Sequence, residues 1–423
     1  MRTCLVLLAV SSGMCSFAAD LTITAFSASG AFTVSNTFAN GICTMRRAEN
    51  VEGPWPAVKS VWTTSNLAQA GLTVTGATSF YLAQATDLAG GRPGFTNLTR
   101  AYGLLTTIAG AGGPKDANNW RSNFEGGPAV NAVLSGPHIA LSDRRGQIYI
   151  ADKDAHAIRK IRLDGTIVTV AGLNVAGNGA DEEMSATLCA LNQPNGLWLA
   201  SDGTGYILDL GNYKVRRLAT NGTIRTLFTV ANTDSIQRGL WVSEDETLAY
   251  VTTYTAVKKW VRGIGVTDFS TGYSEMGNIA MDPWGNLVVT DRGAHRVYRL
   301  DSNGQRTAIA GNGTTSGGGD GQLALNTGLE EVRGVWFLPS GAYFLCTHRS
   351  SRVWYVDTAG YVHLLLNGYR NDVHAGDNTW FYNPNEYRVS KCRAVTMDYE
   401  GDLLITENDM GFVRKVRFLP YEP

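Results

Sequence analysis

A diverged repeat of about 40 to 60 residues begins six times between His138 and the C-terminus, and it limits the possible folds more tightly than any other feature of the chain. Two copies show it best, HIALSDRRGQIYIADKDAHAIRKIRLDGTIVTVAG at 138–172 and NIAMDPWGNLVVTDRGAHRVYRLDSNGQRTAIAG at 278–311. Each runs from an apolar segment through an Asp/Gly turn to a second apolar segment ending in Asp. A polar loop, an Arg/Val/Ile-rich segment, another turn and a last segment ending in Ala-Gly follow. This is the pattern of one four-stranded antiparallel sheet. Weaker copies begin at Gly196, Gly239, Gly334 and Ala394. One twisted four-stranded sheet cannot bury both of its faces, so the repetition implies stacked sheets, and the period fits a propeller blade.

The last copy stops near Pro420 after three strands, while GLLTTIAGAG at 103–112 resembles the fourth-strand segments TIVTVAG and QRTAIAG. A ring closed by pairing the two ends of the chain within one blade removes the exposed edges of an open array. The expectation is therefore an all-β, six-bladed β-propeller over 103–420, closed by the strand at 103–112.

Between residues 20 and 98 the repeat is absent, but short alternating apolar segments (LTITAF, GAFTVSN, GICTMRRA, PAVKSVWTT, GLTVTG, SFYLAQAT) continue. They predict a small β-domain of sandwich type, with Trp55 and Trp62 as core or surface anchors and a linker near GGRPGFTNL. The start, MRTCLVLLAVSSGMCSFAAD, has one Arg, a short apolar run and small residues before a cut after Ala18, the pattern of an export signal over 1–18. Met14 before Cys15 does not suit a lipoprotein, and no segment has the apolar length of a spanning helix. An exported protein, periplasmic or extracellular, is expected. Export permits disulfides, so a Cys346–Cys392 bridge stands beside buried free thiols as a reading of those cysteines.

The runs DKDAHAIRKI and DRGAHRVYRL resemble the hallmark of NHL-repeat propellers, an Asp followed by an Asn/His-containing loop and Arg-Ile/Val. The glycine-rich links GNGTTSGGGDGQLALNTGLEEVRGVW and GLNVAGNGADEEMSATLCALNQPNGLW are similar to those of exported bacterial NHL proteins. The resemblance implies a six-bladed propeller of NHL type. It leaves function open, because such propellers host lyases, lactonases, RNA-binding modules and protein-interaction scaffolds.

In a propeller the starts of the innermost strands converge on one mouth of the central channel. Aligning the repeats places Pro137, Asn195, Arg238, Gly277, Arg333 and Arg393 at one position and His138, Gly196, Gly239, Asn278, Gly334 and Ala394 at the next. Three converging guanidiniums can hold a carboxylate, sulfate or phosphate bidentately. Alternatively each pairs with an acid at the end of a second strand, where Asp152, Asp209, Asp291 and Glu407 are equivalent. Those acids also suit turn fixing by accepting backbone N–H bonds.

His156 and His295 recur at one repeat position and read as blade elements, whereas His138 at the mouth and His348 beside Thr347 are candidate bases or ligands. His363 and His374 are expected in solvated positions. Trp198, Trp241 and Trp336 recur on inner strands and suggest packing between blades, while Trp380 in the link GDNTWFYNPNEY suits recognition of a peptide or carbohydrate. The candidate ligand-binding set is thus His138, Asn195, Arg238, Asn278, Arg333, His348, Arg393 and Trp380, with no catalytic or metal-ligating residue assigned.

The reading these residues favour is a non-enzymatic binding or scaffold protein that presents the channel mouth to a protein, a glycan or a small anionic ligand and needs no cofactor. The alternative is a metal-assisted lactonase-like or lyase-like enzyme, for which calcium or zinc would serve. A calcium lactonase would need a channel ring of Glu, two Asn and Asp, of which only Asn195 and Asn278 are present among three Arg. A lyase would need converging histidines, and His138 alone is suitably placed. Nucleic-acid binding is disfavoured by 36 Lys+Arg against 37 Asp+Glu and a net charge of −1, because it needs a broad basic face.

Overall fold

The structure is a computed structural model that describes residues 3–6, 10–11, 21–27, 29–74, 78–368 and 373–422. The cut expected after Ala18 and most of the export signal lie outside the described residues.

Six antiparallel sheets follow one another from Leu104 onward. Blade one consists of Pro137–Ser142, Ile148–Asp152, Ala157–Ile161 and Ile167–Ala171. The innermost strands of the later blades are Pro194–Leu199, Ile236–Val242, Met276–Met281, Val332–Phe337 and Cys392–Met397. Each inner strand neighbours the next, and the last neighbours the first, so the sheets close a ring around a channel. Closure is by Leu104–Ala109, which pairs with Phe412–Val416 as the outer strand of the sixth blade. Thr379–Trp380 then pairs with Leu104–Leu105 as a short extra edge strand.

The second-strand acids hold the blades together. Asp152 accepts the Ser135 N–H and pairs with Arg159 at 3.1 Å, with both side chains fully buried. Asp209 does the same with Asn192 N–H and Arg216, and Glu407 with Ser390 N–H and Arg414. Asp291 has Tyr298 where the other three acid-bearing blades have Arg, and accepts the N–H groups of Ser274 and Glu275 instead. A buried carboxylate is tolerated here because each bonds backbone donors and, in three blades, a guanidinium. Arg159 also lies over the Trp120 ring at 3.6 Å.

Adjoining blades are further joined through residues in the left-handed region. His156 (φ 52°) accepts the Gln193 N–H on Nδ1, and His295 (φ 54°) accepts the Glu331 N–H. In the fifth blade Ser351 (φ 53°) accepts the Lys391 N–H through its hydroxyl. A polar acceptor that tolerates positive φ is what these positions share.

The N-terminal strands form two sheets. One contains Thr22–Phe26, Ala31–Ser35 and Leu67–Gly71, the other Gly41–Ala48, Ala57–Thr63 and Thr78–Asp87. Phe32 and Val34 from the first meet Cys43, Met45, Tyr81 and Ala83 from the second in one buried core, which makes a sandwich.

The expected linker is instead a helix, Arg92–Ala101, with Pro93 in its first turn. Its buried face of Phe95, Leu98 and Ala101 shares a core with blades five and six. Phe95 stacks on His363 at 4.7 Å between centroids, and His363 Nε2 lies 3.0 Å from Asp357. His363 is therefore buried rather than solvated, because the helix covers the strand that carries it. Cys346 and Cys392 share the same core as free buried thiols, and burial pushes Cys346 up to about 12.

Candidate functional site

All six inner strands shift register near their first residues, between Pro137/Ala140, Pro194/Gly196, Ile236/Leu240, Met276/Ile279, Val332/Gly334 and Cys392/Ala394. A bulge leaves one residue outside the ladder and redirects its side chain. The ladder that follows the bulge makes His138, Asn195, Arg238, Gly277, Arg333 and Arg393 equivalent, the third blade having one residue more than the others between Ile236 and Leu240. The alignment from sequence was one residue out in the first blade, since His138 and not Pro137 stands with the three arginines. Asn278 lies one residue further on, and its Oδ1 accepts the Ile279 N–H at 2.9 Å.

Threonine hydroxyls fix this ring. Thr252, Thr290 and Thr406, each just before the second-strand acid or its equivalent, accept the N–H of Gly239, Asn278 and Ala394 respectively. The same hydroxyls donate to the carbonyls of Gly277, Arg333 and His138 in the next blade. Each links two bulges, and the recurrence of Thr before Asp, Glu or Thr was the sequence signal for it.

The mouth arginines do not pair with the second-strand acids, because the third-strand arginines and backbone donors already occupy those carboxylates. Arg333 instead bonds Glu331 at 2.7 Å, and Arg393 lies 3.4 Å from Asp409. His348 stands between these two acids, with Nδ1 3.3 Å from Glu331 and Nε2 3.5 Å from Asp409. Lys115 adds a second cation to Asp409, and Arg292 pairs with Glu275. Hydrogen bonds from His348 and Arg333 hold the Glu331 carboxyl well below the usual range.

Arg238 is the exception. It is 8 % exposed, and among the described residues neither a hydrogen bond nor an ion pair reaches its guanidinium, with Nε and Nη1 both buried and unpartnered. Burial, then the charges of Arg333, Arg393 and Arg292, push its pKa well below the ordinary arginine value. Burial and Arg333 likewise bring Arg393 down to about 9. The Nε atoms of Arg333 and Arg393, His138 Nδ1 and Asn195 Oδ1 are also buried without partners. Burial and the charges of Arg393 and Arg238 depress the His138 pKa, so its imidazole is neutral in the folded state near pH 7.

The structure thus brings His138, Asn195, Arg238, Arg333, Arg393 and, one shell outward, His348 to one opening. Unpaired cationic donors beside a neutral imidazole can seat an anion and accept or donate one further hydrogen bond. Trp380 does not belong to this group. It sits on the outer edge of the sixth blade, donates Nε1–H to Tyr102 O at 3.2 Å and packs edge-on against Tyr382. The extra edge strand formed by its link carries it away from the channel.

His374, expected in solvent, stacks on Phe412 at 3.6 Å and lies 3.0 Å from Glu407. Its link folds back over the closing blade. Among the described residues no group of three or more His, Cys, Asp or Glu is placed to hold a metal ion.

No family model matches the chain. Its fold is that of known propeller-like proteins. An auxiliary nutrient binding protein from Bacteroides ovatus ATCC 8483 is 13% identical, aligns over 93% of this chain and 95% of its own, and gives a TM-score of 0.57. A protein of the same description from Bacteroides thetaiotaomicron VPI-5482 is 13% identical, with 94% and 97% covered and a TM-score of 0.55. A putative gluconolactonase is 12% identical and matches 77% of this chain and 96% of its own, with a TM-score of 0.51. At these identities the likeness is one of fold, and the Bacteroides matches extend over both the sandwich and the propeller.

Proposed function

We propose that the protein is an exported, NHL-type propeller that binds a small organic anion, a carboxylate in the first instance, at the arginine mouth of its channel without transforming it. The observation that carries this reading is Arg238, a buried guanidinium with no counter-ion among the described residues. The other mouth cations have acidic partners: Arg333 with Glu331, Arg393 with Asp409, Lys115 with both Asp409 and Asp116, Arg292 with Glu275, and Lys153 with Asp154. One unmatched positive charge calls for one negative charge, and a carboxylate meets a guanidinium fork with two parallel bonds. Leaving a cation desolvated and unpaired costs several kcal/mol, a cost a bound anion offsets. The nutrient-binding description of the two Bacteroides proteins, which share the whole architecture, is in keeping with this role.

Calorimetric titration of the mature chain with acetate, lactate and gluconate, and with glycerol as a neutral control, tests it. Heat of binding is expected for at least one carboxylate, none for glycerol, and a loss of about ten-fold or more in Arg333→Gln. Identical behaviour of carboxylates and glycerol would overturn the reading.

A further inference from the structure

The opposite end of the channel has a different chemistry. The inner strands end there beneath the sandwich, and a cavity of about 450 Å³ lies between them. Its walls include Trp198 and Trp336 from the propeller and Trp62 from the sandwich strand Ala57–Thr63. Phe418 covers one face of Trp62, parallel to it at 4.5 Å between centroids, so the indole meets the cavity with its remaining face and edge. The indole N–H groups of Trp62 and Trp198 find no acceptor among the described residues. Polar atoms interrupt the aromatic walls at Lys59, Ser60, Glu244, Asp398 and Glu400.

From this juxtaposition we infer a second binding site, for a neutral oligosaccharide. Flat indole faces take the apolar face of a pyranose ring, and carboxylates take its hydroxyls as paired acceptors. A purely apolar occupant would strip water from Glu244 and Glu400 without replacing its hydrogen bonds. An anionic one would meet three carboxylates against one lysine, and that lysine is already paired with Glu400. The volume lies within the roughly 300–1,000 Å³ of small-ligand sites.

The cavity also continues. Lys59, Ser60 and Glu400 line a second cavity of about 640 Å³ along the same seam between sandwich and propeller, bordered by Thr106, Asp402 and Lys415. An elongated polar cleft joined to an aromatic chamber fits a chain of sugars better than a single ring. The recurrence of tryptophan on the inner strands, which sequence alone assigns to blade packing, acquires a second use at Trp198 and Trp336. This site does not depend on the arginine mouth.

The test is titration of the full mature chain with cellotriose, maltotriose, xylotriose and laminaritriose, followed by tryptophan fluorescence and calorimetry. At least one trisaccharide is expected to change the emission and bind with measurable heat. Trp62→Ala should weaken that binding by about ten-fold or more, and Trp62→Phe should restore part of it. Because Trp62 also packs on Phe418, melting curves accompany both variants, and Trp198→Phe gives an independent reading from the propeller side. Arg238→Met should bind the sugar as the parent does. The proposal is overturned if no trisaccharide binds up to about 10 mM, if folded Trp62→Ala and Trp198→Phe bind as tightly as the parent, or if only the apolar dye anilinonaphthalene sulfonate occupies the cavity.

Discussion

The two ends of the channel are made from the same six strands, yet they differ in almost every physical respect. At the mouth the strands begin with bulges, and the displaced residues are His138, Asn195, Arg238, Arg333 and Arg393, buried polar groups with unmet hydrogen bonds. At the far end the ladders are regular, and the residues that emerge include Trp198 and Trp336, met by Trp62 from a separate sandwich. Repetition fixes the scaffold at both ends. Function enters where the blades stop being equivalent, as with Gly277 in place of a fourth arginine or Leu141 and Thr396 in place of a tryptophan. Blade-to-blade differences are therefore better guides to binding than the consensus.

The comparison can be broken most severely from the frame that both ends share. Arg159→Ala leaves Asp152 fully buried without its guanidinium and uncovers Trp120. It should cost about 3–5 kcal/mol in denaturant unfolding and impair both ends together. Loss of only one end would mean that the blades are less coupled than the ring implies. Thr290→Val removes a hydroxyl that joins Asn278 N–H to the Arg333 carbonyl. A cost of about 1–3 kcal/mol is expected, with anion affinity lowered and sugar affinity unchanged. Equal loss of both would contradict the separation.

The pH dependence should also divide the ends. His138 has a depressed folded-state pKa, so below the ordinary histidine value of about 6.5 the unfolded chain binds a proton that the folded chain does not. Stability then falls as pH drops from about 7 to 5. His374 works in the other direction: burial lowers its pKa, but bonds to Asp377 and Glu407 prevail and raise it. Its contribution is present at low pH and lost as pH rises through the folded-state value. His138→Asn should flatten the acid-side slope by up to one proton, and His374→Gln should remove a loss of stability that sets in as pH rises above about 6.5. An unchanged slope in both would show that neither environment is as the structure has it.

Much of the fold was legible in the sequence because blade construction repeats. The closing strand at 104–109, the second-strand acids and the paired roles of His156 and His295 all follow from residues at fixed repeat positions. What failed was local and non-repeating. The helix Arg92–Ala101 was hidden by its Gly and Pro and by its short length, and is held by packing of Phe95 and Leu98 against the propeller. His138 was misplaced although it stands as far before Asp152 as Asn195, Gly277, Arg333 and Arg393 stand before Asp209, Asp291, Thr347 and Glu407, a spacing legible in the sequence; only the third blade carries an additional residue there, between Ile236 and Leu240. Trp380 was misplaced because its link returns to the blade edge as a strand. Glu331 and Asp409 were missed because their roles exist only where blades five and six face each other across His348.

The central claim, that the mouth holds an uncompensated cation awaiting an anion, is tested most directly by melting the parent and Arg238→Met with and without lactate. The variant should melt higher than the ligand-free parent, a gain of about 1–4 kcal/mol, and lactate should raise the melting point of the parent alone. A variant that melts lower than the parent, together with no response of the parent to lactate, would contradict it.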